Sequence, residues 1–243
     1  VRAACVIGAV VMVAAGLKPA SPAWAYPSLH GPTGLVALPT ADTAGFPGFD
    51  AAVDLTKAQV GGEELDIRTA RLTVCLPLNW EVWALVGDAS NGEDRKLRGF
   101  GGKLPLLRVP IAGFRIAAGL GWEELANSGD FKALSGYLVG TQPVPMGRVH
   151  VGFMSISLDR PGRTDTIVQP FAGAELDAGK GTVLLAELRM RDSSVDEKAV
   201  FSAALRRQFS RKIWFEVGTT NAGCLGLGGK DQNAFVGVRA RLG

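Results

Sequence analysis

Along Thr182 to Arg191, TVLLAELRMR, apolar and charged side chains alternate: Leu184, Ala186, Leu188 and Met190 fall on one side, Glu187, Arg189 and Arg191 on the other. A period of two predicts a β-strand with one greasy and one charged face. At about 3.3 Å per residue and a tilt near 40°, such a strand is long enough to cross the roughly 25 Å apolar band of an outer membrane.

The design recurs along the chain. Phe49 to Lys57 sets Phe49, Ala51, Val53 and Leu55 against Asp50, Asp54 and Thr56. Glu64 to Leu76 sets Ala70, Leu72, Val74 and Leu76 against Thr69, Arg71 and Thr73, after a slip of phase that predicts a bulge. Phe114 to Glu123 alternates Phe114, Ile116, Ala118, Leu120 and Trp122 with Arg115, Gly119, Gly121 and Glu123. Ile167 to Asp177 opposes Ala172, Ala174 and Leu176 to Gly173, Glu175 and Asp177; Ala199 to Phe209 opposes Phe201, Ala203 and Leu205 to Ser202, Arg206 and Gln208. Lys212 to Thr220 opposes Ile213, Phe215 and Val217 to Glu216 and Gly218, with Trp214 on the polar side. Asn233 to Leu242 opposes Val236, Val238, Ala240 and Leu242 to Gly237, Arg239 and Arg241. Four less regular segments complete twelve: Asn79 to Gly87, apolar on both faces apart from Glu81; Lys96 to Leu104, broken by glycine; and the two-sided Lys132 to Thr141 and Arg148 to Leu158. No segment predicts a helix.

A soluble β-sandwich also alternates, so the connections must discriminate. In a barrel whose first strand starts in the periplasm, odd-numbered links are external and long and even-numbered links are short. Pro77-Leu78, Ala178 to Gly181 and Ser210-Arg211 are short even links; Asp88 to Arg95, Glu124 to Phe131, Asp159 to Thr166, Asp192 to Lys198 and Asn221 to Gln232 are longer, polar odd links. Pro105 to Gly113 breaks the parity, being long and apolar. The expectation is an all-β chain: a transmembrane antiparallel up-and-down β-barrel of about 12 strands over residues 49–243. Asp50, Asp54, Arg71, Arg115, Glu175, Glu187, Arg189, Arg191, Arg206, Glu216, Arg239 and Arg241 then line its lumen.

Residues 1–25 carry a positive start at Arg2, an apolar run from Ala3 to Leu17 and the small-x-small site Ala23-Trp24-Ala25, which predicts a cleaved export signal. The run is too short for a spanning helix, and Lys18, Pro19 and Pro22 follow it. Thirty-two glycines and 20% charged residues suit a turn-rich all-β chain. Without Arg2 and Lys18, 24 basic residues face 23 acidic ones, so no polybasic surface points to nucleic acid.

Residues 26–48 form a leader rich in Gly, Pro and Thr, in which Gly34 to Leu38 predicts a short extended piece stopped by Pro39. Its simplest role is to pack against the strands after it. Gly34-Leu35-Val36-Ala37-Leu38-Pro39-Thr40-Ala41 resembles the Gly-Leu-x-x-x-Pro-Thr-Ala opening of YjbH-like proteins, outer-membrane barrels linked to exopolysaccharide production. Members of that family are typically longer than this chain. The resemblance implies a barrel and, beyond that, a part in exopolysaccharide export.

Few residues suggest catalysis or metal binding. On a strand, His150 points away from Ser155 and Ser157, so a triad would need partners from other strands. Glu123-Glu124 point to opposite faces; Glu175 and Asp177 share one, but the nearby arginines favour a lumen ion network over a glycosidase pair. Gly223 to Lys230, GCLGLGGK, fails the phosphate-loop spacing. Cys75 and Cys224, the cysteines after residue 25, fall at opposite ends of the expected barrel, which predicts free thiols.

The expected protein is therefore a monomeric, non-enzymatic outer-membrane barrel without cofactor or metal. Its partners are outer-membrane lipid and the barrel assembly machinery, although Leu242 and Gly243 replace the usual terminal aromatic. Its lumen is either a narrow passage for polar solutes or glycan, or closed and structural; mixed charge argues against strong ion selectivity. The rivals are a secreted soluble β-sandwich that binds a ligand and a barrel enzyme depending on His150.

Overall fold

The computed structural model describes residues 28–29, 34–60, 63–90, 94–109, 112–126, 131–160, 162–190, 199–222 and 228–242. Twelve antiparallel strands follow one another around a closed barrel: β1 (Gly48–Val60), β2 (Glu63–Cys75), β3 (Glu81–Ser90), β4 (Asp94–Arg108), β5 (Arg115–Ala126), β6 (Phe131–Val144), β7 (Gly147–Arg160), β8 (Arg163–Gly179), β9 (Thr182–Arg189), β10 (Val200–Gln208), β11 (Ile213–Ala222) and β12 (Gly228–Arg241). β1 closes on β12 from Asp50↔Arg241 to Thr56↔Phe235. Closure leaves no sheet edge and excludes the two-sheet sandwich. The expected signal segment, His30, Arg191 and Cys224 lie outside the described residues.

Each strand turns an apolar residue outward. Val53, Leu72, Val86, Phe100, Leu120, Leu134, Phe153, Val168, Leu188, Phe201, Val217 and Val236, one from each strand in order, are 44–65% exposed. A continuous girdle of this kind is costly in water and matched to hydrocarbon. The strands outrun the girdle: β8, at 17 residues and about 3.3 Å per residue, is far longer than a roughly 25 Å band requires.

That excess length shortens four of the expected long links. Residues 61–62, 91–93, 127–130 and 161–162 are all that separate those strand pairs at the end away from the start of β1, here the loop end; at the turn end, 76–80 and 109–114 are longer. The parity holds at the ten-residue link 190–199 of the loop end and at the two-residue links 145–146 and 180–181 of the turn end. The polar residues read as loops are strand residues paired beyond the girdle, such as Asp88↔Lys96 and Asp159↔Thr164. The expected bulge in β2 is also absent: β1 and β2 pair without a break from Gly48↔Cys75 to Val60↔Glu63. The polarity inverts while the strand stays regular, because Asp66 and Arg68 face outward and Ile67 is buried inside.

Inside the loop end, Ile67, Trp83, Leu85, Ala89, Leu97, Leu125, Ala133, Ile156 and Leu158 form one buried apolar cluster. This inner core explains why β3 and β7 are apolar on both faces. Glycine makes room for inward aromatic rings: a Cβ on Gly101 or Gly121 would fall 2.6 or 2.8 Å from Trp83 in this cluster, and one on Gly119 would fall 2.3 Å from Tyr137 outside it. The glycine-broken segment is thus part of β4, a strand of 15 residues whose register against β5 shifts between Pro105 and Leu107 and not at the glycines.

Candidate functional site

The lumen is occupied by the chain's own leader. Residues Leu35 to Leu38, expected as an extended piece, form a tight turn instead, with Gly34 bridged to Pro39 and the Leu35 N–H donating to Leu38 O at 2.9 Å. Gly34 permits the closure, since a Cβ there would sit 2.2 Å from Leu38 O. Three successive N–H groups of the turn converge on one wall carboxylate, Glu187: Val36 at 3.1 Å, Ala37 at 2.8 and 3.1 Å, and Leu38 at 3.1 Å.

Other walls complete the grip. Arg206 Nη2 donates to Leu35 O at 3.3 Å and Arg71 to Ser28 O. Lys103, itself 2.8 Å from Glu81, donates to Thr40 O and Asp42 O. The Asp42 carboxylate accepts from Arg115 and Arg148, and Arg148 also reaches Glu175 at 2.7 Å. The Ala41 N–H donates to Thr141 Oγ1 at 2.9 Å, and the Ala44 N–H to Glu81 Oε1 at 2.6 Å. Apolar contacts fill the gaps. Leu35 and Val36 pack on Leu185, Ala204 and Phe235, whereas Leu38 and Ala41 pack on Ala117, Tyr137, Val139 and Phe171.

Beside this plug runs a buried ion network. Asp54 binds Arg71 and, at 2.9 Å, Arg239; Arg239 Nη2 reaches Glu216 at 3.0 Å, and Arg206 Nε reaches it at 2.6 Å. Gly237 leaves the space, since a Cβ there would lie 2.2 Å from Asp54 Oδ1. Asp50 and Arg241 pair at 2.9 Å nearer the turn end. Alternating signs satisfy one another, which is how buried charge is tolerated.

Of the twelve residues expected in the lumen, eleven are described and all face inward. Asp50, Asp54, Arg71, Glu175, Glu187, Arg189, Arg206, Glu216 and Arg239 are buried; Arg115 and Arg241, near the turn end, are partly exposed. Trp214, on the same face, is buried too. Sequence reasoning missed Asp42, Glu81, Lys103, Thr141 and Arg148. Glu81 did carry a signal, since a lone charge in an otherwise apolar strand marks the face that has a partner.

His150 does find partners on other strands. Its Nδ1 is 2.9 Å from Thr141 Oγ1, and its Nε2 is 3.5 Å from Glu175 Oε1. The order hydroxyl, imidazole, carboxylate has the form of a triad. Thr141 is fully buried, however, and its oxygen already accepts from Ala41, so this set anchors the plug. Among the described residues no cluster could hold a metal ion.

These features define the class: a closed transmembrane antiparallel β-barrel with an apolar girdle and an occupied, charged interior. The chain is similar in fold to the KdgM porin solved in complex with disordered oligogalacturonate, with a TM-score of 0.59 and 11% identity over 79% of this chain and 98% of that one. A second KdgM porin structure superposes with a TM-score of 0.56 and 12% identity, covering 78% and 98%. The outer membrane phospholipase A from Escherichia coli gives 0.47 and 11%, covering 82% and 90%. No protein-family model and no curated protein matches the sequence.

Proposed function

We propose that this protein is a monomeric outer-membrane barrel whose lumen is a stoppered passage for polar solutes or glycan, opened when residues 34–42 move. One observation carries the reading: the segment that resembles YjbH-like proteins, Gly34 to Ala41, is the segment held in the lumen by Glu187. An accessory part in exopolysaccharide export is the role that fits both the resemblance and the architecture. The girdle supports placement in a membrane, and the likeness to the KdgM porin supports a barrel of a size that hosts a channel. Gln169 and Tyr137 support a polar cargo: both are buried, and the Gln169 amide and the Tyr137 hydroxyl have no hydrogen-bond partner among the described residues.

The test is conductance in planar bilayers, with heat-modifiable migration in detergent gels showing that the barrel is folded. Wild type stays closed for most of the record, and a chain lacking residues 28–42 conducts steadily. A folded deletion variant that never conducts would leave the second reading, a closed structural barrel, which the apolar cluster around Trp83 and Leu85 favours.

A further inference from the structure

Among the described residues, the outer wall turns charged toward the loop end on β2 to β6 and stays uncharged there on β9 to β12. On β2 to β6, Arg68, Asp88 and Lys96 stand side by side in register, and one row nearer the girdle Arg98, Glu124 and Lys132 do the same. Toward the loop end of the opposite wall, the outward residues are Met190, Phe201, Thr219 and Ala234. The acids hold the bases in place: Asp88 lies 2.6 Å from Lys96, and Glu124 lies 2.5 Å from Arg98 and 3.7 Å from Lys132. Arg98 also stands over the Trp122 ring, 5.9 Å from its centroid. Even so, the Lys96 and Arg98 side chains remain 62% and 63% exposed, and Arg68 has no ion-pair partner among the described residues.

Beside these bases lies a groove of about 470 Å³ on the outer wall, lined by Arg68 and Lys96 at its head and, in the next row toward the turn end, by Val53, Ala70, Val86 and Arg98 side by side in register. Asp88 is the one acid in that lining and Glu124 pairs with Arg98 from beside it, so the three bases keep one net positive charge against these two acids. The floor is continuous with the girdle, so an occupant that uses both parts must be amphiphilic, anionic and resident in the membrane. The planar guanidinium of Arg matches phosphate oxygens in pairs, while Lys adds a point charge. We infer that this groove binds a phosphorylated glycolipid of the outer leaflet, with phosphate on Arg68, Lys96 and Arg98 and an acyl chain along Val53, Ala70 and Val86. The inference rests on the proposed membrane placement, because it needs the loop end to meet that leaflet.

The probe is bis-phosphorylated lipid A, added to the delipidated barrel in non-ionic detergent and followed by native mass spectrometry. Wild type retains one lipid A per barrel. Arg68→Ala with Arg98→Ala weakens retention by about tenfold or more, as does removing both phosphates from the lipid. Arg207→Ala with Lys212→Ala, exposed bases at the turn end, leaves it unchanged. Heat-modifiable migration confirms that each variant is folded. Equal retention by both double variants, or preference for phosphatidylglycerol over lipid A, overturns the site. Failure of the membrane reading looks different: wild type would then stay soluble without detergent.

Discussion

Both carboxylate oxygens of Glu187 lie within hydrogen-bond distance of the Ala37 N–H, at 2.8 and 3.1 Å, across 150 residues of sequence. One wall side chain thus satisfies the exposed donors of a turn that has no strand partner. In Glu187→Ala three buried N–H groups lose their acceptor, at about 1–3 kcal/mol each when unsatisfied. The expected result is a loss of roughly 3 kcal/mol or more in urea unfolding of the reconstituted barrel, together with frequent openings in bilayer recordings. Glu187→Gln, which keeps one acceptor oxygen, should fall between this variant and wild type.

Plug anchoring and wall stability separate at two other carboxylates. Asp42→Asn releases Arg115, whose side chain is 35% exposed and can hydrate, and Arg148, which keeps Glu175. The stability cost should stay near 1–2 kcal/mol while openings increase. Glu216→Gln takes a shared carboxylate from two buried cations, leaving Arg239 with Asp54 and Arg206 with the Leu35 carbonyl, and breaking such a pair costs about 3–5 kcal/mol. Denaturant midpoints should fall further in Glu216→Gln than in Asp42→Asn, whereas channel openings should rise further in Asp42→Asn.

The twelve strands were legible because alternation is a local property, visible wherever the inner face is charged, as at Glu187 and Arg189. Where the inner face is itself apolar, around Trp83, Leu85, Ile156 and Leu158, the period disappears and only β-like composition remains. The plug was not legible for another reason. Its turn is specified by Gly34 and Pro39, but its place in the lumen depends on Glu187, Lys103, Arg115 and Arg148, residues far away in sequence. Four external links were read as too long because polar composition marks exposure to water, which strands extending past the girdle share with loops.

Gly119 and Tyr137 test whether the glycines are steric devices. A Cβ on Gly119 would fall 2.3 Å from both the Cζ and the hydroxyl of Tyr137 and 2.7 Å from Gly102 O. Gly119→Ala should therefore cost about 1–3 kcal/mol by overpacking. Adding Tyr137→Ala should return part of that loss, measured as a positive coupling in a double-mutant cycle on heat-modifiable migration against temperature. Additive effects would mean that the Gly102 backbone contact dominates.

Cys75 is buried and free at the turn end of β2. Cys224 follows Ala222, the loop-end residue of β11, by two residues, a reach of about 7 Å, whereas the ten residues of β11 put roughly 25 Å between the barrel ends and a disulfide needs Cα atoms within about 7 Å of each other. Intact mass of the unfolded, unreduced protein should show both thiols. A deficit of two hydrogens in a monomer would contradict the strand order.

Leu188 and Arg189 are adjacent and face opposite worlds, one 45% exposed on the girdle and the other 2% exposed in the lumen. Leu188→Arg places a charge against hydrocarbon, at about 2–4 kcal/mol if the position lies at mid-bilayer. Arg189→Leu changes only the lumen face, where the Arg189 Nη1 lies 3.7 Å from Met154 Sδ, so its cost is set by lumen contacts and not by lipid. Refolding into phospholipid vesicles, followed by denaturant titration, should show a loss of that size for Leu188→Arg that depends on the lipid, and a cost for Arg189→Leu that does not. Equal tolerance of both would mean that the apolar face does not meet lipid, since no other property of the two sites differs in the required direction.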